Sequence, residues 1–260
     1  MFRNAFVLAI AMATCAFAQG TFTDSRDGKK YKTVEIGSQI WMAQNLDYHG
    51  EDGFLGLCYG DVPKNKIRKP ENCKKYGRLY DWEEALKACP SGWHLPSYEE
   101  WQTLVDFAGG DKVAGKKLKA KNGWVDCGTK EIDNRGRTIE GGCLDAFGFS
   151  ALPSGNGTEE GNFFNINKSS DWWSSTTYGE GRAYRLSMSN NDWEVYGYGL
   201  GGDFMLFSVR CLHGSAPEKS AIPESNIRGF ESASIKRDIV EINKREEKKS
   251  EKTRKKGVAR

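Results

Sequence analysis

The sequence predicts an α+β domain, with helices early and twisted antiparallel strands late, closed by disulfides and followed by a charged tail. Three observations carry this. Two helix-start signatures, at Asp81 and at Ser97-Tyr-Glu-Glu100, precede apolar residues at helical spacing in the first half. In the second half Arg182, Tyr184, Leu186 and Met188 alternate with Ala183, Arg185 and Ser187, the period of a strand. Cysteines are spread through the same region and stop where the composition turns polar.

Taken in order, the chain opens with one cation, Arg3, the apolar run Ala5 to Thr14, and Ala16-Phe17-Ala18. This is the layout of a secretory signal peptide over residues 1–18, with Gln19 the first mature residue and the apolar run too short to span a bilayer. The alternative, a lipid on Cys15, fits less well because Met12-Ala-Thr14 suits such a site poorly. No later segment has the length and apolarity of a membrane span. Tyr31 to Ile36 alternates as a strand, and Gln39 to Ala43 is its hairpin partner across Gly37-Ser38. Asp81 caps a helix running to about Ala88, and a turn containing Trp93 follows. Behind the capping box at Ser97, Trp101, Leu104 and Val105 form one face of a second helix, and Asp111 to Lys121 reads as a weaker third. Trp172-Trp173 lies on a strand and points its rings to opposite faces. Strands follow over 182–188, then 193–198 beyond the turn Ser189-Asn-Asn-Asp192, and finally Phe204 to Leu212.

Of the seven cysteines, Cys15 leaves with the signal and six remain. An even number in an exported domain reads as three disulfides, for which 15 connectivities exist. The pairing favoured here is Cys58–Cys73, Cys127–Cys143 and Cys89–Cys211. The first two close short Gly-, Lys- and Asn-rich loops and the third closes most of the domain. Zinc is disfavoured: there is no C-x-x-C, and His49, His94 and His213 do not cluster.

The domain spans residues 19–213. Residues 214–260 hold no Trp, Tyr or Cys and carry 13 Lys or Arg against 8 Asp or Glu. The whole chain is +3, so the positive balance belongs to the tail and the domain itself is acidic. Such a segment buries too little apolar surface to order itself and is expected to be disordered or partly helical. Its functional reading is a tether to an anionic cell-surface polymer. An exported protein of this kind is not expected to bind nucleic acid.

The motifs together carry a likeness. The stretch Asp27-Gly-Lys-Lys-Tyr-Lys-Thr-Val-Glu-Ile-Gly-Ser-Gln-Ile-Trp-Met-Ala-Gln-Asn-Leu46 resembles the opening of the Fibrobacter succinogenes major paralogous domain. Tyr76 to Trp82, Cys89 to Ser97, Gly148 to Gly155, Trp172 to Thr176 and Phe207 to Cys211 resemble its later motifs, in the same order. The likeness covers about residues 25–213. It implies a bacterial, secreted or surface-exposed domain with a C-type-lectin-like fold. That architecture is shared with formylglycine-generating enzymes and with the variable binding proteins of diversity-generating retroelements. It also implies a helix-to-last-strand disulfide, which here is Cys89–Cys211. The family has no established molecular activity.

The candidate site is the Tyr178–Phe204 segment, where amphipathic aromatics alternate with adaptable polar groups, the composition of a binding surface. Expected ligand-contacting residues are Trp173, Tyr178, Arg182, Tyr184, Asn191, Asp192, Trp193, Tyr196, Tyr198 and Asp203. Aromatic faces stack on sugar rings while Asn, Asp and Arg satisfy hydroxyls, so the partner is a glycan or a protein. The bland alternative makes the aromatics one covered face of a sheet. Neither Glu-Pro-Asn nor Gln-Pro-Asp is present for calcium-dependent sugar binding. No cofactor is expected beyond a structural calcium held by Asp and Asn oxygens. Enzyme readings are weaker. No spacing singles out a carboxylate pair among Glu99, Glu100, Asp192, Glu194 and Asp203. His94 sits in a buried-looking turn, and a formylglycine-generating-type oxidase needs a cysteine pair where only Cys211 stands. The reading is a non-catalytic binding or adhesion module. The alternatives are a structural envelope protein tethered by its tail, or that oxidase.

Overall fold

The computed structural model describes residues 18–127, 131–132, 138–139, 142–177, 182–198 and 204–217. The expected signal peptide and nearly all of the basic tail therefore lie outside the described residues. Strands β1 (Gln19–Thr23), β2 (Lys30–Ile36) and β3 (Gln39–Met42) open the chain as an antiparallel meander. The helical half follows: α1 (Pro70–Tyr76), β4 (Leu79–Tyr80), α2 (Trp82–Ala88), β5 (Trp93–His94), α3 (Tyr98–Phe107) and α4 (Asp111–Leu118). The short pair β6 (Glu131–Ile132) and β7 (Thr138–Ile139) precedes the strand-rich half. This holds β8 (Asn156–Thr158), β9 (Phe163–Phe164), β10 (Ser169–Thr177), β11 (Ala183–Ser189), β12 (Val195–Tyr198), β13 (Met205–Ser208) and β14 (Leu212–His213). The α+β arrangement expected from the sequence is the one observed.

Local chemistry explains the boundaries. Asp81 accepts from the Glu84 amide at 2.7 Å while the Glu84 carboxylate accepts from the Asp81 amide at 3.3 Å, so α2 starts in a capping box. Ser97 and Glu100 repeat the device at α3, at 3.2 and 2.8 Å. The expected face of Trp101, Leu104 and Val105 is buried. The β2–β3 hairpin pairs Ile36 with Gln39 across Gly37, which takes φ +62. α4 stops at Leu118, short of the expected Lys121, because Lys119 leaves the helix with ψ 137.

One expected element is divided. The strand read over Phe204 to Leu212 is β13 followed by β14, and the two belong to different sheets. β13 pairs with β10, β4 and β8, whereas β14 pairs with β3 and β5. Between them the Val209 and Cys211 carbonyls accept from Leu46 and Met42, so the backbone bonds change sheet within three residues. The first sheet runs β1-β2-β3-β14-β5 and the second β12-β11-β10-β13-β8-β9.

Two apolar cores flank the second sheet. Trp172 packs in one with Trp41, Trp101 and Phe149; Trp173 packs in the other with Tyr80, Trp93 and Phe207. The paired rings do point to opposite faces. Both faces are covered, however, and Trp173 is 0% exposed, its ring 4.5 Å from that of Phe207 and its Nε1 donating to the Tyr80 carbonyl. It is a core residue and is closed to a ligand. Arg210 lies against the Trp172 core at 0% exposure. Its guanidinium donates to Asn45 Oδ1 at 3.0 and 2.6 Å and to the Phe149 carbonyl, and stacks over the Phe149 ring. Burial pushes its pKa down to about 9, against the opposing charge of Asp145.

The three disulfides are Cys58–Cys73, Cys89–Cys211 and Cys127–Cys143, with Cα separations of 4.9, 5.8 and 5.5 Å. Cys89–Cys211 ties the end of α2 to the crossover between β13 and β14. Among the described residues, no helix is long and apolar enough to cross a membrane.

Candidate functional site

The antiparallel pair β11–β12 and the turn between them hold most of the candidate residues. Register fixes which share a face: Met188 lies opposite Val195, Ser187 opposite Tyr196, and Arg185 opposite Tyr198. Leu186, Met188 and Val195 enter the Trp172 core. The other face carries Ser187 and Tyr196. Toward β10 that face is closed by Arg185, whose guanidinium pairs with Asp171 at 3.1 Å and covers the Phe207 ring. Toward Tyr196 it opens to solvent.

The turn is held from several sides. Lys119, 0% exposed, reaches under it and donates to the carbonyls of Ser189 and, at 2.6 Å, Asp192. Asp192 in turn accepts from the Glu194 amide at 3.1 Å and from the Tyr196 hydroxyl at 2.9 Å. Burial and this carboxylate contact both raise the Tyr196 pKa. Lys112 pairs with Glu194 at 2.8 Å. Lys116 and Lys119 lie 5.2 and 5.7 Å from the centre of the half-buried Trp193 ring. α4 comes this close only because residue 115 is glycine, where a Cβ would stand 2.7 Å from the Trp193 carbonyl. The outcome is a fixed turn with Asn191 exposed and Asp192, Trp193 and Tyr196 half-exposed.

Beside the turn is a cleft of about 510 Å³ between three loops, with Val125 and Asp126 on one wall, Asn165 and Lys168 on the second, and Ser189 to Asn191 on the third. Main-chain bonds fix the walls to one another. Val125 donates to the Asn167 carbonyl at 2.8 Å and Asn190 to the Lys168 carbonyl at 2.7 Å. A larger hollow of about 820 Å³ lies over β1, β2 and the loop 145–150.

A family match spans residues 34–213, from within β2 to the end of β14, and is to the Fibrobacter succinogenes major domain. The chain belongs to this family. No curated protein and no solved structure matches it. The Fibrobacter succinogenes major domain here thus contains the β11–β12 turn, the cleft and all three disulfides.

Of the ten expected contact residues, the structure brings Asn191, Asp192, Trp193 and Tyr196 together at the turn. Arg182 is half-buried at the start of β11. Two expected residues are interior. Trp173 lies in the core described above, and Tyr184 is 3% exposed with its ring 4.8 Å from Tyr98 on α3. Both were expected on the surface because alternation reports which residues share a face, not what covers it. Tyr178, Asp203 and the Tyr198 side chain lie outside the described residues.

Sequence reasoning missed Lys119, Asn165 and Lys168. The only sign of Lys119 is its place in Leu118-Lys-Ala120, a charge amid apolar neighbours at a helix end. Asn165 and Lys168 sit in a loop with no periodicity to mark them. Other candidate groups have packing partners. His94 Nε2 lies 2.9 and 3.0 Å from the Glu100 oxygens and Nδ1 lies 2.9 Å from the Gly214 carbonyl. Among the described residues no three acidic, His or Cys side chains converge on one point.

Proposed function

We propose that this domain is a non-catalytic binding module of C-type-lectin-like architecture, working in the extracellular space or on the cell surface, and that the β11–β12 turn is its recognition element. One observation carries the reading. The buried Lys119 ammonium holds the turn by two carbonyls, so Asn191, Trp193 and Tyr196 are presented in one conformation. A fixed surface binds without first spending free energy on loop ordering. Half-exposed indole and phenol rings beside amides suit glycan hydroxyls and ring faces, or a polar protein patch.

Other features support the same reading. Six cysteines paired as three disulfides suit an oxidising compartment, and leave Cys211 joined to Cys89 rather than serving as an oxidase thiol. The Glu100 carboxylate is engaged by His94 and the Ser97 amide, and Glu194 by Lys112, which ties up two of the groups a glycosidase would need. The test is saturable retention of the mature chain on cellulose, xylan, polygalacturonate, peptidoglycan and intact cells. A Trp193→Ala/Tyr196→Ala variant of native melting temperature should lose that retention. No saturable retention on any of these, or full retention by the folded variant, would sink the proposal.

A further inference from the structure

We infer that the cleft beside the turn is a saccharide subsite, selective for neutral polyhydroxylated ligands, in which Asn165, Asn190 and Asn191 contact the hydroxyls directly. This deepens the binding-module reading and rests on it.

The inference starts from hydrogen-bond bookkeeping. The side chains of Asn165, Asn190 and Asn191, and the Lys168 ammonium, line the cleft and have no hydrogen-bond partner among the described residues. The neighbouring Asn167 is different: its Oδ1 accepts from the Tyr76 hydroxyl at 2.8 Å and works for the scaffold. Three uncommitted carboxamides on two walls of one cleft are a specific chemical lining. Each offers two N–H donors and one acceptor oxygen. A sugar hydroxyl is likewise donor and acceptor at once, so amide and hydroxyl satisfy each other without charge.

Charge decides the ligand class. Among the described residues, Lys168 is the single cation of the lining and Asp126 opposes it. A phosphate or uronate would seek several cations or an Arg fork, and the described residues of the lining supply neither. Val125, 39% exposed, supplies an apolar wall for the C–H face of a ring. The volume of about 510 Å³ falls within the roughly 300–1,000 Å³ common for small-ligand sites.

The cleft is also built before any ligand arrives. Asn165 holds φ +64, a left-handed conformation that aims its loop and that asparagine tolerates. Ser169 donates back to the Asn165 carbonyl at 2.9 Å, and Asn167 donates to Pro153 at 3.0 Å. On the opposite wall Asp126 adjoins Cys127 and its disulfide to Cys143. Recognition therefore costs little in loop ordering.

The test titrates the mature protein with soluble β-glucan and xylan oligosaccharides, with oligogalacturonate as the acidic arm. The cleft variant is Asn165→Gly/Asn190→Ala, since glycine keeps the positive φ while removing the amide. Two lost hydrogen bonds should weaken neutral-oligosaccharide binding by about tenfold or more, at unchanged melting temperature. Three results would overturn the inference. Binding that is equal in the cleft variant but lost in Trp193→Ala/Tyr196→Ala would move the site to the turn and leave the module reading intact. Preference for oligogalacturonate would overturn the neutral class. Absence of binding to all soluble saccharides would overturn the cleft, and cell or peptidoglycan retention would then decide the wider reading separately.

Discussion

The buried ammonium of Lys119 donates to the Asp192 carbonyl at 2.6 Å, joining the end of α4 to the turn between β11 and β12. The contact spans 73 positions of sequence. It makes the shape of the exposed turn a property of the interior. Lys119→Met keeps the bulk and removes the donors, leaving two carbonyls unpaired. A charge-assisted contact of this kind is worth about 1.5–3 kcal/mol. Urea unfolding of the variant should show a loss of that size, and the amides of residues 190–194 should exchange faster while those of β10 do not.

Asn45 Oδ1 accepts from Trp172 Nε1 at 2.8 Å as well as from Arg210, so one amide oxygen is a shared acceptor for the indole and the buried guanidinium. No carboxylate lies within ion-pair distance of Arg210 among the described residues. Asn45→Ala would leave a desolvated cation without its main acceptor, at a cost of about 3 kcal/mol or more. Asn45→Ala/Arg210→Met, which removes both partners, should recover part of that loss in chemical unfolding.

The disulfides should rank by the loop each closes. Cys89–Cys211 is separated by 122 residues, against 15 for Cys58–Cys73 and 16 for Cys127–Cys143. In the chain-entropy account the long closure stabilises by about 5 kcal/mol and the short ones by about 3 kcal/mol. Pairwise Cys→Ala variants compared by denaturant midpoint should follow this order. Equal losses would show that native packing, not loop length, sets the ranking.

His94 joins α3 to the residue where the tail begins. Burial by itself would lower its pKa, but the Glu100 carboxylate and the Gly214 carbonyl outweigh burial and raise it above 6.5. Both neighbours are acceptors, and only the imidazolium has an N–H for each. A raised folded pKa means that the stabilisation is complete below the unfolded value and is lost as pH rises through the folded one. The melting temperature should fall over that window in the wild type, and the fall should be reduced in His94→Gln.

Much of the scaffold was legible because its causes are local. The helix cap at Asp81, the capping box at Ser97 and the hairpin at Gly37 each act within a few residues, and the even cysteine count is read directly from composition. What was not legible depends on distant partners. Trp173 and Tyr184 looked like surface aromatics until Phe207 and Tyr98 covered them. Lys119 and Arg210 carried no reading in the sequence, since nothing nearby along the chain shows that carbonyls and an amide await them inside. α1 was overlooked although Pro70 opens it and Lys74 and Lys75 close it, because seven residues show too little apolar periodicity. The candidate site was half legible: composition located the turn, but the cleft wall at Asn165 and Lys168 comes from a loop more than 20 positions upstream of Asn190.

Hydrogen exchange of the chain from Gln19 onward, with and without saturating neutral β-glucan or xylan oligosaccharide, tests the central claim most directly. The account predicts slowed exchange confined to the amides of residues 165–169 and 189–196. Unchanged exchange there, or protection only over β1 and β2 beside the larger hollow, would contradict it.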